Sequence, residues 1–179
     1  SDLVGQAEHS DLVQCILISK NKNIIEQTKK EIFTQLKKIP RSLIAKKSLI
    51  NYGILLNVNS DKKIIEIINK IGPEHLELNI KNYKSYIPQI KSSGSVCLGK
   101  YAVMSMTDMG VPGSNHVLPT NMSSKYSSGL NVSEFVKKIS YITLTKLGID
   151  KIGPSAIRLE KFEGLEAHGR SIKTRMEKK

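Results

Sequence analysis

Each of the four histidines in this 179-residue chain sits in a short polar string. His9 closes Gln6-Ala7-Glu8-His9, His75 follows Pro73-Glu74, His116 opens His116-Val117-Leu118-Pro119-Thr120, and His168 stands five residues after Glu163, across Gly164. Imidazole is the usual metal ligand and the side chain that titrates near neutral pH. Imidazoles set beside carboxylates and amides suit metal-assisted acid–base chemistry.

Gln6 and His9 are three apart, so a helix would turn both toward one metal; a surface helix end would show the same spacing. Glu74-His75 comes just after the helix stop Gly72-Pro73. A Glu beside a His offers a base for water and a second proton carrier, as oxidation or hydrolysis at a carbonyl centre needs; a loop ion pair is the plainer account. Asp108, between Met106 and Met109, suits a zinc ligand or a helix cap. His116 reads as a buried histidine that fixes its loop by a hydrogen bond. Glu163 and His168 could point into one site or decorate a surface helix. Taken together, Gln6, His9, Asp108 and His168 supply two nitrogens and two oxygens, a four-ligand zinc set. Glu74, His75 and Glu163 are left for acid–base work and substrate binding.

The elements that must position these groups follow from periodicity. Leu12 to Ser19 is a short apolar run, predicting a buried parallel strand. Residues 22–38 have helical spacing through Ile24, Ile25, Thr28, Ile32 and Leu36. Leu43 to Tyr52 predicts a second helix stopped by Gly53, and Ile54 to Val58 a second strand. Asn59 or Ser60 then caps a helix whose face is Ile64, Ile65, Ile67, Ile68 and Ile71. Residues 76–80 and Ser95 to Leu98 predict two more strands, with a helix over Tyr83 to Lys91 between them. Gly110 to Ser128 reads as a long ordered loop. Helix is expected again from Val132 through Phe135, Val136, Ile139 and Ile142. A helical hairpin from about Pro154 to Arg175, broken near Gly164, completes the chain. Strands alternating with helices predict a layered α/β fold with a mainly parallel, incomplete Rossmann-like sheet and a small C-terminal helical tail. The expected division is an α/β domain over 1–130 and a helical segment over 131–179.

Composition removes several function classes. The net charge of +12 invites a nucleic-acid reading. Only Arg41, Arg158, Arg170 and Arg175 among the 28 basic residues are arginine, however, and the lysines are scattered along the chain. Arginine is the better residue for phosphate forks and base edges. Aromatics are 5% with no Trp, so stacking platforms are scarce. Nucleic acid is therefore not an expected partner. No apolar run nears the roughly 20 residues that span a bilayer, and the first residues lack signal-peptide character. Cys15 and Cys97 lie in apolar runs without zinc or redox spacing, which suggests buried thiols in a cytoplasmic protein.

The ordered strings Gln-Ala-Glu-His (6–9), Pro-Glu-His-Leu-Glu (73–77), Asn-His-Val-Leu-Pro-Thr (115–120), Ser-Ser-Gly-Leu (127–130) and Glu-Gly-Leu-Glu-Ala-His (163–168) resemble histidinol dehydrogenase. The resemblance covers essentially the whole chain and matches the C-terminal part of that enzyme. One departure is an apparent extra residue between Asp108 and Asn115. The resemblance implies NAD-dependent oxidation of L-histidinol to L-histidine through an aldehyde, with zinc ligated by Gln6, His9, Asp108 and His168. It implies that zinc holds the substrate, with the ligands around it, that Glu74 activates water, that His75 shuttles the hydroxyl proton and contacts substrate, and that Glu163 binds substrate. It further implies a homodimer in which the tail serves the partner's site. The family chain is more than twice as long, and its N-terminal half carries most of the NAD site. This chain alone is thus expected to be inactive. The competing expectation is a non-catalytic module that keeps zinc to hold an imidazole ligand or to dimerise; a zinc hydrolase is a more distant one.

Overall fold

The computed structural model describes residues 1–109 and 115–177, apart from the Asp108 side chain. The chain divides into two compact units, Ser1–Phe135 and Val136–Lys179. No helix among the described residues is long and apolar enough to cross a membrane.

The first unit alternates strands and helices. After α1 (Asp2–Ala7) come β1 (Ile16–Ser19), α2 (Lys22–Leu36), α3 (Ser42–Tyr52), β2 (Ile54–Asn57), α4 (Asp61–Ile71), β3 (His75–Leu78), β4 (Ser95–Leu98) and α5 (Met104–Met109). The fold is α/β with parallel strands, as expected. The strands form two separate parallel pairs, β1 with β2 and β3 with β4, rather than one sheet. Strand-to-strand order is a long-range choice that periodicity does not encode. β4 has the expected bounds, whereas β1, β2 and β3 are each shorter than the run that predicted them. Residues 12–15, expected in the first strand, precede it, and the Ser48 hydroxyl donates to the Val13 carbonyl at 2.7 Å.

Helix signals worked where polar caps met apolar periodicity. Asn21 accepts from the Asn23 amide and starts α2, and Ser60 accepts from the Lys63 amide and starts α4. Gly72 ends α4 in the left-handed region at φ 60°, a C-terminal stop that glycine adopts at least cost. The helix expected over Tyr83–Lys91 is instead two 3₁₀ turns, Tyr83–Ser85 and Ile87–Gln89. Pro88 lacks the amide that an α-helix would need there.

Two apolar clusters hold this unit. In one, Val4 and Ala7 of α1 meet Cys15, Leu36 and Ala45. Ala7 and Ala45 are fully buried, so the absence of longer side chains lets α1 lie close on α3. In the other, Ile65 and Ile68 of α4 meet Leu78 and Tyr86.

The second unit is a helical hairpin of α6 (Lys146–Phe162) and α7 (Glu166–Glu177), reversed at Gly164 with φ 77°. Here α6 starts eight residues before Pro154, because Thr145 caps it by accepting from the Gly148 amide at 3.0 Å. Gly153 packs under Met176 and Ile172 of α7, where a Cβ would lie 2.5 Å from the sulfur. The helix expected from Val132 to Ile142 does not form. Val132–Phe135 make one 3₁₀ turn, and Val136, Ile139 and Ile142 are exposed. An apolar stripe with nothing to cover it does not stabilise a short helix in water.

Two outcomes test this packing. Ala45→Leu should destabilise the chain by about 1–3 kcal/mol in urea unfolding, through overpacking against α1. Burial pushes the Cys15 thiol up to about 11. At pH 8 only about one molecule in a thousand then carries the reactive thiolate, so iodoacetamide should label Cys15 far more slowly in the folded chain than in urea.

Candidate active site

The first group sits at the end of α1. Gln6 lies in its last turn, and the helix stops before His9, whose amide donates to the Gln6 carbonyl at 3.2 Å. The expected shared helix face is therefore replaced by a turn, with His9 exposed. Helix α3 and Arg41 at its start fix that turn at three points. The Arg41 guanidinium donates to the His9 carbonyl at 3.2 Å, the Lys47 ammonium pairs with Asp11 at 2.5 Å, and Ser48 holds Val13. Lys47 accordingly holds the Asp11 carboxyl below its ordinary value. The Gln6 Oε1 atom is buried and has no hydrogen-bond partner. A carbonyl oxygen in that state needs a cation or a donor.

The second group is Glu74-His75. His75 is the first residue of β3 rather than a loop residue, paired in register with Ser95. Its Nε2 lies 3.7 Å from Glu74 Oε1, while its Nδ1 is buried without a partner. The separation exceeds a direct hydrogen bond and leaves both groups able to engage a third atom. The backbone here is tightly placed. The Ser95 amide donates to the Glu74 carbonyl at 2.8 Å and the Gly94 amide to the Pro73 carbonyl at 2.9 Å. A Cβ on Gly94 would lie 2.7 Å from the Glu74 oxygen and 3.0 Å from Pro119 Cδ. Gly94 has no positive φ, so its requirement is space rather than backbone freedom.

Alternation along β3 assigns the faces. Leu76 and Leu78 pack against the α4 cluster. His75 and Glu77, two apart, share the opposite face. Glu77, which the motif reading passed over, accepts the first amide of α5 (Met104) at 2.9 Å. Burial holds its carboxyl above the usual carboxylate range; the Met104 amide and the nearby His75 pull it down, while Asp2 of α1 pushes it up. Asp2 and Gln6 are four apart on α1 and so lie on one side of that helix. Glu77 thus stands in electrostatic reach of α1 and His75 and in direct contact with α5. Its signal was in the sequence, as the second polar residue of the alternation His75-Leu76-Glu77-Leu78.

The remaining groups are more dispersed. Asp108 is in α5, and its side chain lies outside the described residues, as do Gly110–Ser114 of the expected loop. His116 is exposed rather than buried. Asn115 beside it bonds the local backbone: its side-chain amide donates to the Leu130 carbonyl and its Oδ1 accepts from the Val117 amide at 2.9 Å. Short polar side chains bond nearby backbone more readily than an imidazole does. Glu163 follows the last residue of α6 and His168 lies in α7, both exposed and both in the second unit. No three His, Cys, Asp or Glu side chains gather as metal ligands among the described residues. The first unit therefore places Gln6 and His9 at the end of α1 and Glu74 and His75 at the start of β3, while Glu163 and His168 belong to the hairpin of the second unit.

A family model described as histidinol dehydrogenase matches residues 1–176. The chain is 60% identical over its full length to histidinol dehydrogenase of Pelagibacter ubique, covering 42% of that protein. It is 41% identical to the Listeria monocytogenes serovar 1/2a enzyme over 177 residues, 99% of this chain and 41% of the other. A crystal structure of histidinol dehydrogenase from Elizabethkingia anophelis superposes with a TM-score of 0.86 at 38% identity, covering 98% of this chain and 40% of that one. The chain thus spans about two fifths of the length of these relatives.

Gly94→Ala should cost about 1–3 kcal/mol in urea unfolding, because the new methyl meets the Glu74 carbonyl and Pro119. Gly164→Ala meets nothing within 4 Å and should cost only the left-handed backbone penalty, about 1–2 kcal/mol. Equal tolerance of Gly94→Ala and a surface control would show that the Glu74 backbone is not confined there.

Proposed function

The chain belongs to the histidinol dehydrogenase family, and on that footing we propose that it forms the zinc-ligating and acid–base portion of an enzyme oxidising L-histidinol to L-histidine by way of the aldehyde. The observation that supports this most is the pair of buried, unpartnered atoms, Gln6 Oε1 and His75 Nδ1, in the unit that also carries Glu74. They fit a site that keeps polar atoms for a metal and a substrate.

In this reading Gln6, His9, Asp108 and His168 hold one zinc ion, and Glu163 binds substrate. When bound, zinc supplies a positive centre that anchors substrate nitrogens and orients the molecule, and NAD supplies the oxidant. His75 takes the proton of the alcohol hydroxyl as the carbonyl forms. Glu74 takes a proton from water as its oxygen attacks the aldehyde carbon, giving the hydrate that is oxidised to the acid. Their 3.7 Å separation suits two groups acting on one carbon in turn. The NAD contacts lie mostly in the N-terminal half of the family chain, so this chain alone does not turn over.

The same proposal makes the enzyme a homodimer, with Glu163 and His168 completing the partner's site. Within the second unit, Leu147, Ile152, Leu159 and Phe162 are exposed, as a hairpin made to pack on another surface requires. A cytoplasmic setting belongs to this reading, and Cys15 and Cys97 are both buried.

The isolated chain should give no histidinol-dependent NADH. Mixed with the part of the Pelagibacter enzyme that it does not match, it should give turnover that is lost on chelation. Glu74→Gln in that mixture should slow aldehyde oxidation by about 10²–10⁴-fold and leave zinc content unchanged. Turnover by the isolated chain would refute the division of labour. One zinc per chain with no turnover in the mixture would leave the non-catalytic imidazole-binding module.

A further inference from the structure

Helix α5, which carries Asp108, has six residues and no polar residue at its N-terminal boundary. Val103 stands before it, and the Met106 amide donates to the Val103 carbonyl at 3.1 Å. Valine has no side-chain oxygen to satisfy the free amides of a first turn. A helix this short is marginal unless something outside it holds it. That hold comes from β3, 27 residues earlier, where Glu77 Oε1 accepts the Met104 amide at 2.9 Å in a half-buried contact.

We infer that Glu77 is a positioning residue, the remote cap that fixes α5 and with it Asp108 against the face of β3 that presents His75. It holds no substrate and moves no proton. Its carboxylate suits the task because a charged acceptor on a helix N-terminal amide makes a stronger bond than a neutral one and complements the helix dipole. Leu76 and Leu78 anchor the other face of the strand, so Glu77 cannot turn away without a register slip. The link from Glu77 to α5 stands on the structure; the link from α5 to metal rests on the zinc reading above.

Two readouts on the chain keep these links separable. The first is amide hydrogen exchange over Met104–Met109 without metal. The second is titration with cobalt(II), followed by its visible absorption and by displacement with zinc. Glu77→Ala should speed exchange in α5 tenfold or more and weaken cobalt binding about 10–100-fold, as loss of a ligand-orienting partner does. Glu77→Gln keeps an oxygen acceptor and should restore both to within about threefold, which a generally damaged fold would not do. Met104→Pro removes the donor at a position where helices accept proline. Adding Glu77→Ala to it should then cost nothing further, even if the single alanine variant folds poorly. Unchanged α5 exchange in Glu77→Ala, or measurable cobalt binding of equal affinity in the parent chain, Glu77→Ala and Glu77→Gln, would overturn the inference. A chain that takes up no metal while Glu77→Ala still loosens α5 would overturn the zinc reading and leave the cap in place.

Discussion

Side chains in a β-strand must commit alternately to one face or the other. In the four residues of β3, the α4 cluster takes Leu76 and Leu78, and that choice hands the opposite face to His75 and Glu77. Buried Leu78 contributes about 1.5–3 kcal/mol to holding this register, and half-buried Leu76 adds less. A slip of one residue would forfeit that and push a carboxylate and an imidazole into an apolar layer, at several kcal/mol more. Both terms act in the same direction. The placement of the polar pair is therefore a consequence of hydrophobic burial on the other side of the strand, and parallel pairing with β4 sets its position along the chain.

Backbone confinement completes what burial begins. Glu74 and Pro73 each accept a main-chain bond from the segment leading into β4, and Gly94 lets that segment approach where no side chain fits. One turn back, Gly72 adopts a left-handed φ, and a Cβ there would lie 2.9 Å from the Ser124 hydroxyl. Residues around Pro119 and Ser124 are thus packed against the turn that delivers Glu74. Glu74 and His75 keep side-chain rotation but little backbone freedom, the condition under which a base and a proton carrier can be aimed. The His9 turn shows the same logic with different means, since three polar contacts from α3 and Arg41 at its start fix it instead of close glycine packing.

What was legible in the sequence follows from these forces. Apolar runs with caps and glycine stops marked α2, α3 and α4 because local periodicity and capping decide such helices. The residues of β1 to β4 were visible as short apolar runs, yet their division into two pairs was not, since pairing is settled by distant surfaces. Pro88 carried a readable warning against helix that the apolar spacing of 83–91 outweighed. Val136, Ile139 and Ile142 had helical spacing, but a stripe without a partner surface does not order a helix. Glu74 and His75 stood out as a motif. Glu77 did not, because its task depends on a helix 27 residues away. His116 was expected to be buried and is exposed, and the backbone bonds of its neighbour Asn115 were not read from the sequence.

Folding normally pairs buried polar atoms, because leaving one unmade costs about 1–3 kcal/mol. Among the described residues, Gln6 Oε1 and His75 Nδ1 are left without a hydrogen bond, and so is Ser124 Oγ beside Gly72. The first two sit on elements whose own positions are strongly determined, α1 by Ala7 on Ala45 and β3 by its leucines. Stability given up at such atoms is available to whatever ligand supplies the missing partner, and the rigidity around them limits what that ligand can be. The first unit is thus well packed beneath its strands and unsatisfied at these points.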